Sequence, residues 1–137
     1  MKTCKLLREQ VAAATGSKKA ELVLKNAQIV NVFTQSVETG DIAIEGGYIV
    51  GIGNYEGITE KDLGGAYVCP GFLDGHIHIE SSMTSPGEFE RAVVPHGTIA
   101  VITDPHEIAN VAGTAGIRFM MQSAQKLDLD VYFMLPS

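Results

Sequence analysis

Hydrophobic and polar positions follow two different patterns along this chain, and the change falls near Val68. Before it, apolar residues come in short runs. Lys5–Ala14 predicts a short helix with Leu6, Leu7 and Val11 on one side and Gly16 as its stop. After a lysine-rich turn, Glu21–Val32 (ELVLKNAQIVNV) holds β-branched runs broken at Lys25-Asn26. Ser36–Gly53 predicts a hairpin, because Asp41–Glu45 alternates and Gly46-Gly47 suits a two-residue primed turn. These elements predict a small antiparallel β unit. Asn54–Gly65, rich in glycine and charge, predicts a loop leading away from it.

From Val68 onward, apolar strands alternate with helical periodicity. VCPGFLDGHIHIESSM leaves a Pro-Gly pair and then alternates. Phe72, Asp74, His76, His78 and Glu80 share one parity, and Leu73, Gly75, Ile77 and Ile79 the other. Ser85 then caps a helix, with Pro86 at its first position and Glu88 closing a capping box. That helix carries Phe89, Ala92 and Val93 inward and ends at Pro95-His96-Gly97. Thr98–Thr103 (TIAVIT) reads as a parallel strand covered on both faces. A second helix over about Thr114–Lys126 places Ile117, Met120, Met121, Ala124 and Leu127 at helical spacing. Asp130–Leu135 is a third apolar strand. The order is βαβαβ, with right-handed crossovers expected. The fold class is therefore α/β, a small antiparallel unit over residues 1–66 followed by a parallel βαβαβ segment over 67–137.

His76 and His78 project from one face of a strand, their backbones roughly 6.6–7 Å apart. Two imidazoles so placed can converge on one divalent cation beyond the strand end, with Glu80 following on the same face. A single histidine in an apolar stretch is ordinarily a satisfied core residue. Two of them flanked by Asp74 and Glu80 are different, since burying four ionisable groups costs several kcal/mol unless they are paired or bind metal. A second polar cluster, Asp104, His106 and Glu107, follows the second strand. Parallel sheets and barrels place active sites at these C-terminal strand ends. The same residues also suit a solvated cap for the next short helix. His96 falls at a helix end and is assigned to the opposite rim.

Composition excludes several classes. A net charge of −6 provides no basic stripe for nucleic-acid phosphates. Cys4 and Cys69 form no disulfide framework and read as free thiols in a reducing compartment. No apolar run approaches the roughly 20 residues of a membrane span. Arg8 and Glu9 interrupt the place where a signal peptide needs its apolar core, so a cytoplasmic setting is expected.

A small β unit followed by PGFLDGHIH resembles the amidohydrolase superfamily. The longer string GFLDGHIHIESSMTSPGEFERAVVPHGTIAVITDPHEIANVAGTAGI resembles the adenine deaminases within it. HIESSM and DPHEIANV separate them from dihydroorotases and hydantoinases. The resemblance runs from about Glu21 to Ser137. It implies a (β/α)8 TIM-like barrel with a small β-sandwich-like domain built from both chain ends. It also implies hydrolysis of adenine to hypoxanthine and ammonia at a manganese or iron centre, with zinc as the alternative metal. His76 and His78 are then first-strand metal ligands. Glu80, Asp104, His106 and Glu107 line the site without individual roles, and homo-oligomers are expected. A barrel takes about 250 residues, so these strands form an incomplete one. The chain is expected to be an N-terminal portion, inactive alone.

Three other readings compete. His78-Ile79-Glu80 matches the H-x-E of cytidine-type deaminases, but their P-C-x-x-C segment is missing because no cysteine follows Cys69. A cyclic-amide hydrolase shares the histidine pair but lacks the ESSM and DPHE strings. A non-catalytic metal-binding or scaffold module fits the short ligand set.

Overall fold

The computed structural model describes residues 4–135. The chain divides into two compact units after Pro70.

The first unit is built around β1 (Ala20–Asn31), which pairs on both sides. β2 (Ser36–Glu45) runs antiparallel to it, and β3 (Tyr48–Gly53) antiparallel to β2. Gly46 and Gly47 both have positive φ (57° and 76°), the conformation that the primed turn requires. The break expected at Lys25-Asn26 is a β-bulge inside one continuous strand, where the register shifts between Leu24 and Ala27. Asn26 sits there at φ 57°, with its N–H donating to Asp41 Oδ1 at 3.1 Å.

The expected loop over Asn54–Gly65 contains a strand, β4 (Gly57–Asp62), parallel to β1. A short β5 (Tyr67–Val68) also runs parallel to β1. The sheet is thus mixed, not purely antiparallel. GITEKD lacks a buried face, so backbone bonding to β1, not a hydrophobic pattern, makes it a strand. The pairing of β5 with β1 keeps Tyr67 and Val68 with the first unit.

α1 (Cys4–Ala14) packs on β2 and β3 and buries Gln10 and Ala13. Gln10 Nε2 donates to the Glu45 carbonyl at 3.3 Å. Leu7 and Val11, on the apolar side expected for this helix, are about half exposed (54% and 55%). Ala13, Ala20, Val23 and Ala43 form one small core, and Ala27, Ile29 and Ile42 another.

The second unit is a parallel sheet in the order β6 (Phe72–Ile77), β7 (Thr98–Thr103), β8 (Asp130–Phe133). α2 (Pro86–Val93) connects the first pair. Ser85 Oγ accepts from the Glu88 N–H at 3.4 Å, and Pro86 opens the helix. The Glu88 carboxylate pairs with Arg91 (3.1 Å), where the capping box had it reach back to Ser85. Phe89 is buried, whereas Ala92, expected to face inward, is exposed.

α3 (His106–Ala124) is two helical parts meeting at a kink at Gly113 (φ 58°, ψ −146°). The second part starts at Thr114, as expected, and the first is the short helix that Asp104–Glu107 precede or open. Ile79, Phe89, Val101, Met120 and Leu129 form the core, with Ile77, Ile108, Leu127, Val131 and Phe133 packed against it. Met121 is about half exposed. Among the described residues no helix is long and apolar enough to cross a membrane. Cys4 and Cys69 are exposed free thiols.

Candidate metal centre

The C-terminal ends of β6 and β7 lie side by side because the strands are parallel and paired, Ile77 opposite Thr103. The Asp104 N–H donates to the Ile77 carbonyl at 3.0 Å and carries the pairing one step past the strand. His76 and His78 leave β6 here. Asp104, His106 and Glu107 leave β7 and open α3.

Residues two apart on one strand share a face, and the rings meet accordingly. His76 Nε2 and His78 Nε2 lie 3.2 Å apart, with the rings edge-on at 78°. His78 Nδ1 is 2.9 Å from the Asp104 main-chain oxygen. A carbonyl only accepts, so Nδ1 carries the proton and Nε2 presents a lone pair. His106 Nδ1 is 3.1 Å from Asp104 Oδ2. With the carboxylate as acceptor, the neutral ring keeps a lone pair on Nε2. The His78 and His106 rings pack edge-on, 4.6 Å between centroids. Asp104 thus orients two imidazoles at once, one through its backbone and one through its side chain. Such outer partners fix the tautomer of metal-bound histidines.

Two sets of donors result. The ligand atoms of His76, His78 and Asp104 lie within 4.8 Å of one another, and so do those of His78, His106 and Glu107. His78 belongs to both. Asp104 Oδ1 is buried without a hydrogen-bond partner, and burying an ionised oxygen so is costly. Nitrogen and oxygen donors suit manganese, iron or zinc. The residues present therefore fit a divalent metal. The orphaned Asp104 oxygen and the two facing imidazole nitrogens are what a cation would satisfy.

Glu80 is placed differently. Its Oε1 accepts the Ile108 N–H at 3.3 Å, while Oε2 is buried without a partner. Pro105, the residue before α3, makes no side-chain cap, so Glu80 supplies one from the 3-10 turn Ile79–Ser82. That bond anchors the first turn of α3. Asp74, of the same parity, accepts the His76 N–H at 3.0 Å. His96 stands just before β7, at the end of that strand away from Asp104. Sequence reasoning passed over Ser81, whose Oγ donates to Glu107 Oε1 at 2.7 Å. The only signal for it was its place in the ESSM string.

Residues 67–137 match the model of the amidohydrolase family. The chain is 58% identical over 133 residues to adenine deaminase 2 of Carboxydothermus hydrogenoformans, covering 97% of this chain and 23% of that protein. It is 59% identical over 131 residues to adenine deaminase of Geobacillus kaustophilus, covering 96% of this chain and 23% of that protein. It spans about a quarter of the length of these curated relatives. Among solved structures it resembles an N-acyl-D-glutamate deacylase of Bordetella bronchiseptica complexed with zinc and a phosphonate inhibitor. The TM-score is 0.52 at 21% identity, over 63% of this chain and 19% of that one, a likeness of fold alone. With a histidine pair closing the first strand of a parallel sheet and the family model matching through that sheet, the chain belongs to the amidohydrolase family.

Proposed function

We propose that this chain forms part of a metal-dependent adenine deaminase, which hydrolyses adenine to hypoxanthine and ammonia. The observation that carries the reading is the approach of His76 Nε2 to His78 Nε2 at 3.2 Å, at the C-terminal end of a parallel strand. Similarity to adenine deaminases over almost the whole chain supports the choice of substrate. Manganese or iron is the expected metal, held by His76 and His78 with Asp104, and by His106 and Glu107 beside them. A cytoplasmic homo-oligomer is part of the same proposal. Because the chain spans 23% of its relatives, turnover is expected of a protein of full family length and not of these 137 residues alone.

A divalent metal bound there supplies Lewis-acid polarisation and an acidified water. The chain's own residues prepare the site. The Asp104 carbonyl holds His78 in the Nδ1–H tautomer, and Asp104 Oδ2 does the same for His106. In the reaction a C–O bond forms from water to the purine carbon bearing the amino group, and the C–N bond to that group breaks. One proton must pass from the water to the departing nitrogen, a task for a carboxylate within reach of both. Asp104 and Glu107 are the carboxylates grouped with the histidines. Glu80 is engaged at the start of α3, which assigns it a supporting role.

In a full-length protein carrying this chain, His76→Ala or His78→Ala is expected to lower bound metal and abolish hypoxanthine formation from adenine. Metal analysis and an ammonia-release assay read the two effects. Variants with normal metal and normal turnover would overturn the proposal.

A further inference from the structure

The 3-10 turn Ile79–Ser82 reaches across to the start of α3 through two side chains. Glu80 takes the Ile108 N–H, and Ser81 Oγ donates to Glu107 Oε1 at 2.7 Å across 26 residues of sequence. That separation is within the ordinary range for a hydroxyl donating to a carboxylate. The neighbouring serine turns the other way. Ser82 Oγ donates to the Ile79 carbonyl at 2.6 Å and lies 2.7 Å from Thr84 Oγ1, both within two or three residues in sequence. Of two adjacent serines, one contacts the donor group and the other serves only the turn.

Glu107 needs such a partner. It stands in the first turn of α3, half-buried, grouped with His78 and His106 within 4.8 Å. A glutamate has three rotatable side-chain bonds, so its carboxylate samples many positions unless something fixes it. The hydroxyl of Ser81 engages one oxygen and leaves the other outside that bond.

We propose that Ser81 is a positioning residue, which acts through Glu107 to organise the His78, His106 and Glu107 group for a divalent cation. The proposal rests on the metal reading given above. Ser81 need not touch the cation; it removes the conformational freedom that Glu107 would otherwise lose on binding. Outer partners of metal ligands typically change affinity by about 10–100-fold.

The test is a titration with Mn2+ of a metal-free full-length protein carrying this chain, followed by electron paramagnetic resonance, with circular dichroism confirming that each variant folds. Ser81→Ala is expected to weaken Mn2+ binding by about 10–100-fold. Ser81→Thr, which keeps the hydroxyl, should restore it, and Ser82→Ala should leave it unchanged. In a Glu107→Gln background, Ser81→Ala should have no further effect, the non-additivity of residues acting as one unit. Ser81 is exposed, so its replacement is compatible with folding, and Ser81→Gly provides a second variant read the same way. Equal affinity in wild type and Ser81→Ala would overturn the Ser81 assignment while leaving the metal reading intact. So would equal losses in Ser81→Ala and Ser82→Ala. A full-length wild-type protein that binds no Mn2+ would overturn both.

Discussion

Asp41 is the buried carboxylate on which the first unit's β-bulge depends. Lys25 Nζ bonds its Oδ2 at 2.5 Å, and the Asn26 N–H bonds its Oδ1 at 3.1 Å. The Lys25 bond, above all, holds the Asp41 carboxyl below its ordinary 3.8, with the Asn26 and Tyr55 N–H groups helping against burial. Glu45 is lowered in the same way by Lys18. The unfolded chain, whose carboxylates keep their ordinary values, therefore binds protons first as the pH falls. The stabilisation is complete above those values and is lost as the pH drops through the lower folded ones. Thermal unfolding followed by circular dichroism is expected to hold its midpoint near neutrality and to fall below about pH 4. Asp41→Asn should lower the neutral-pH midpoint and flatten the acid limb. An unchanged acid limb in that variant would remove Asp41 from the account.

At the scale of elements, α3 joins the site to the core of the second unit through a kink. Its first part, residues 106–112, carries His106 and Glu107, and its second part buries Gly116 and Met120 in the core. Gly113 joins them at φ 58° and ψ −146°, a conformation essentially closed to residues with a Cβ. The turn brings Ile108 back onto Gly116, where an added Cβ would lie 2.6 Å from Ile108 Cγ1 and 2.8 Å from its carbonyl oxygen. Gly113→Ala is expected to cost about 1–3 kcal/mol through backbone strain. Gly116→Ala should cost a similar amount, about 1–3 kcal/mol, through overpacking. Because a backbone atom blocks the Gly116 site, the first part of α3 must shift, so Gly116→Ala should also weaken Mn2+ binding. Denaturant unfolding and the Mn2+ titration measure the two effects. A Gly116→Ala protein of unchanged stability would show that the two parts of α3 are not packed as described.

For the whole molecule, the exposed apolar side chains decide solution behaviour. In the second unit Phe72, Leu73, Ile99 and Tyr132 are each more than half exposed. Among the described residues β6 and β8 are both edge strands, each pairing with β7 alone. In the first unit Phe33, Ile49 and Ile52 are similarly exposed, and Phe33, Ile49 and Ile52 line an apolar groove with Ile29, Val68 and Cys69. Unpaired edges and apolar patches favour association, and a net charge of −6 opposes it only weakly at physiological salt. The isolated chain is expected to associate as its concentration rises, which sedimentation velocity would detect. A single monomeric species across the whole range, unfolding cooperatively, would contradict this.

The period-two pattern of FLDGHIHIE determined from sequence that His76 and His78 share a face, because side-chain alternation is a property of each strand alone. Ser85-Pro86 determined where α2 starts for the same reason, the cap being local. Tertiary structure decided the rest. Asp104 meets His78 only because β7 runs parallel beside β6, a pairing made by backbone groups 26 residues apart in sequence. β4 became a strand despite its polar sequence because β1 offered it unpaired backbone. The first turn of α3 is anchored by Glu80, from another turn, which supplied the cap that Pro105 lacks. Local periodicity is written residue by residue, whereas register, caps supplied from elsewhere and shared ligands depend on which strands lie side by side, and that is settled only when the sheet forms.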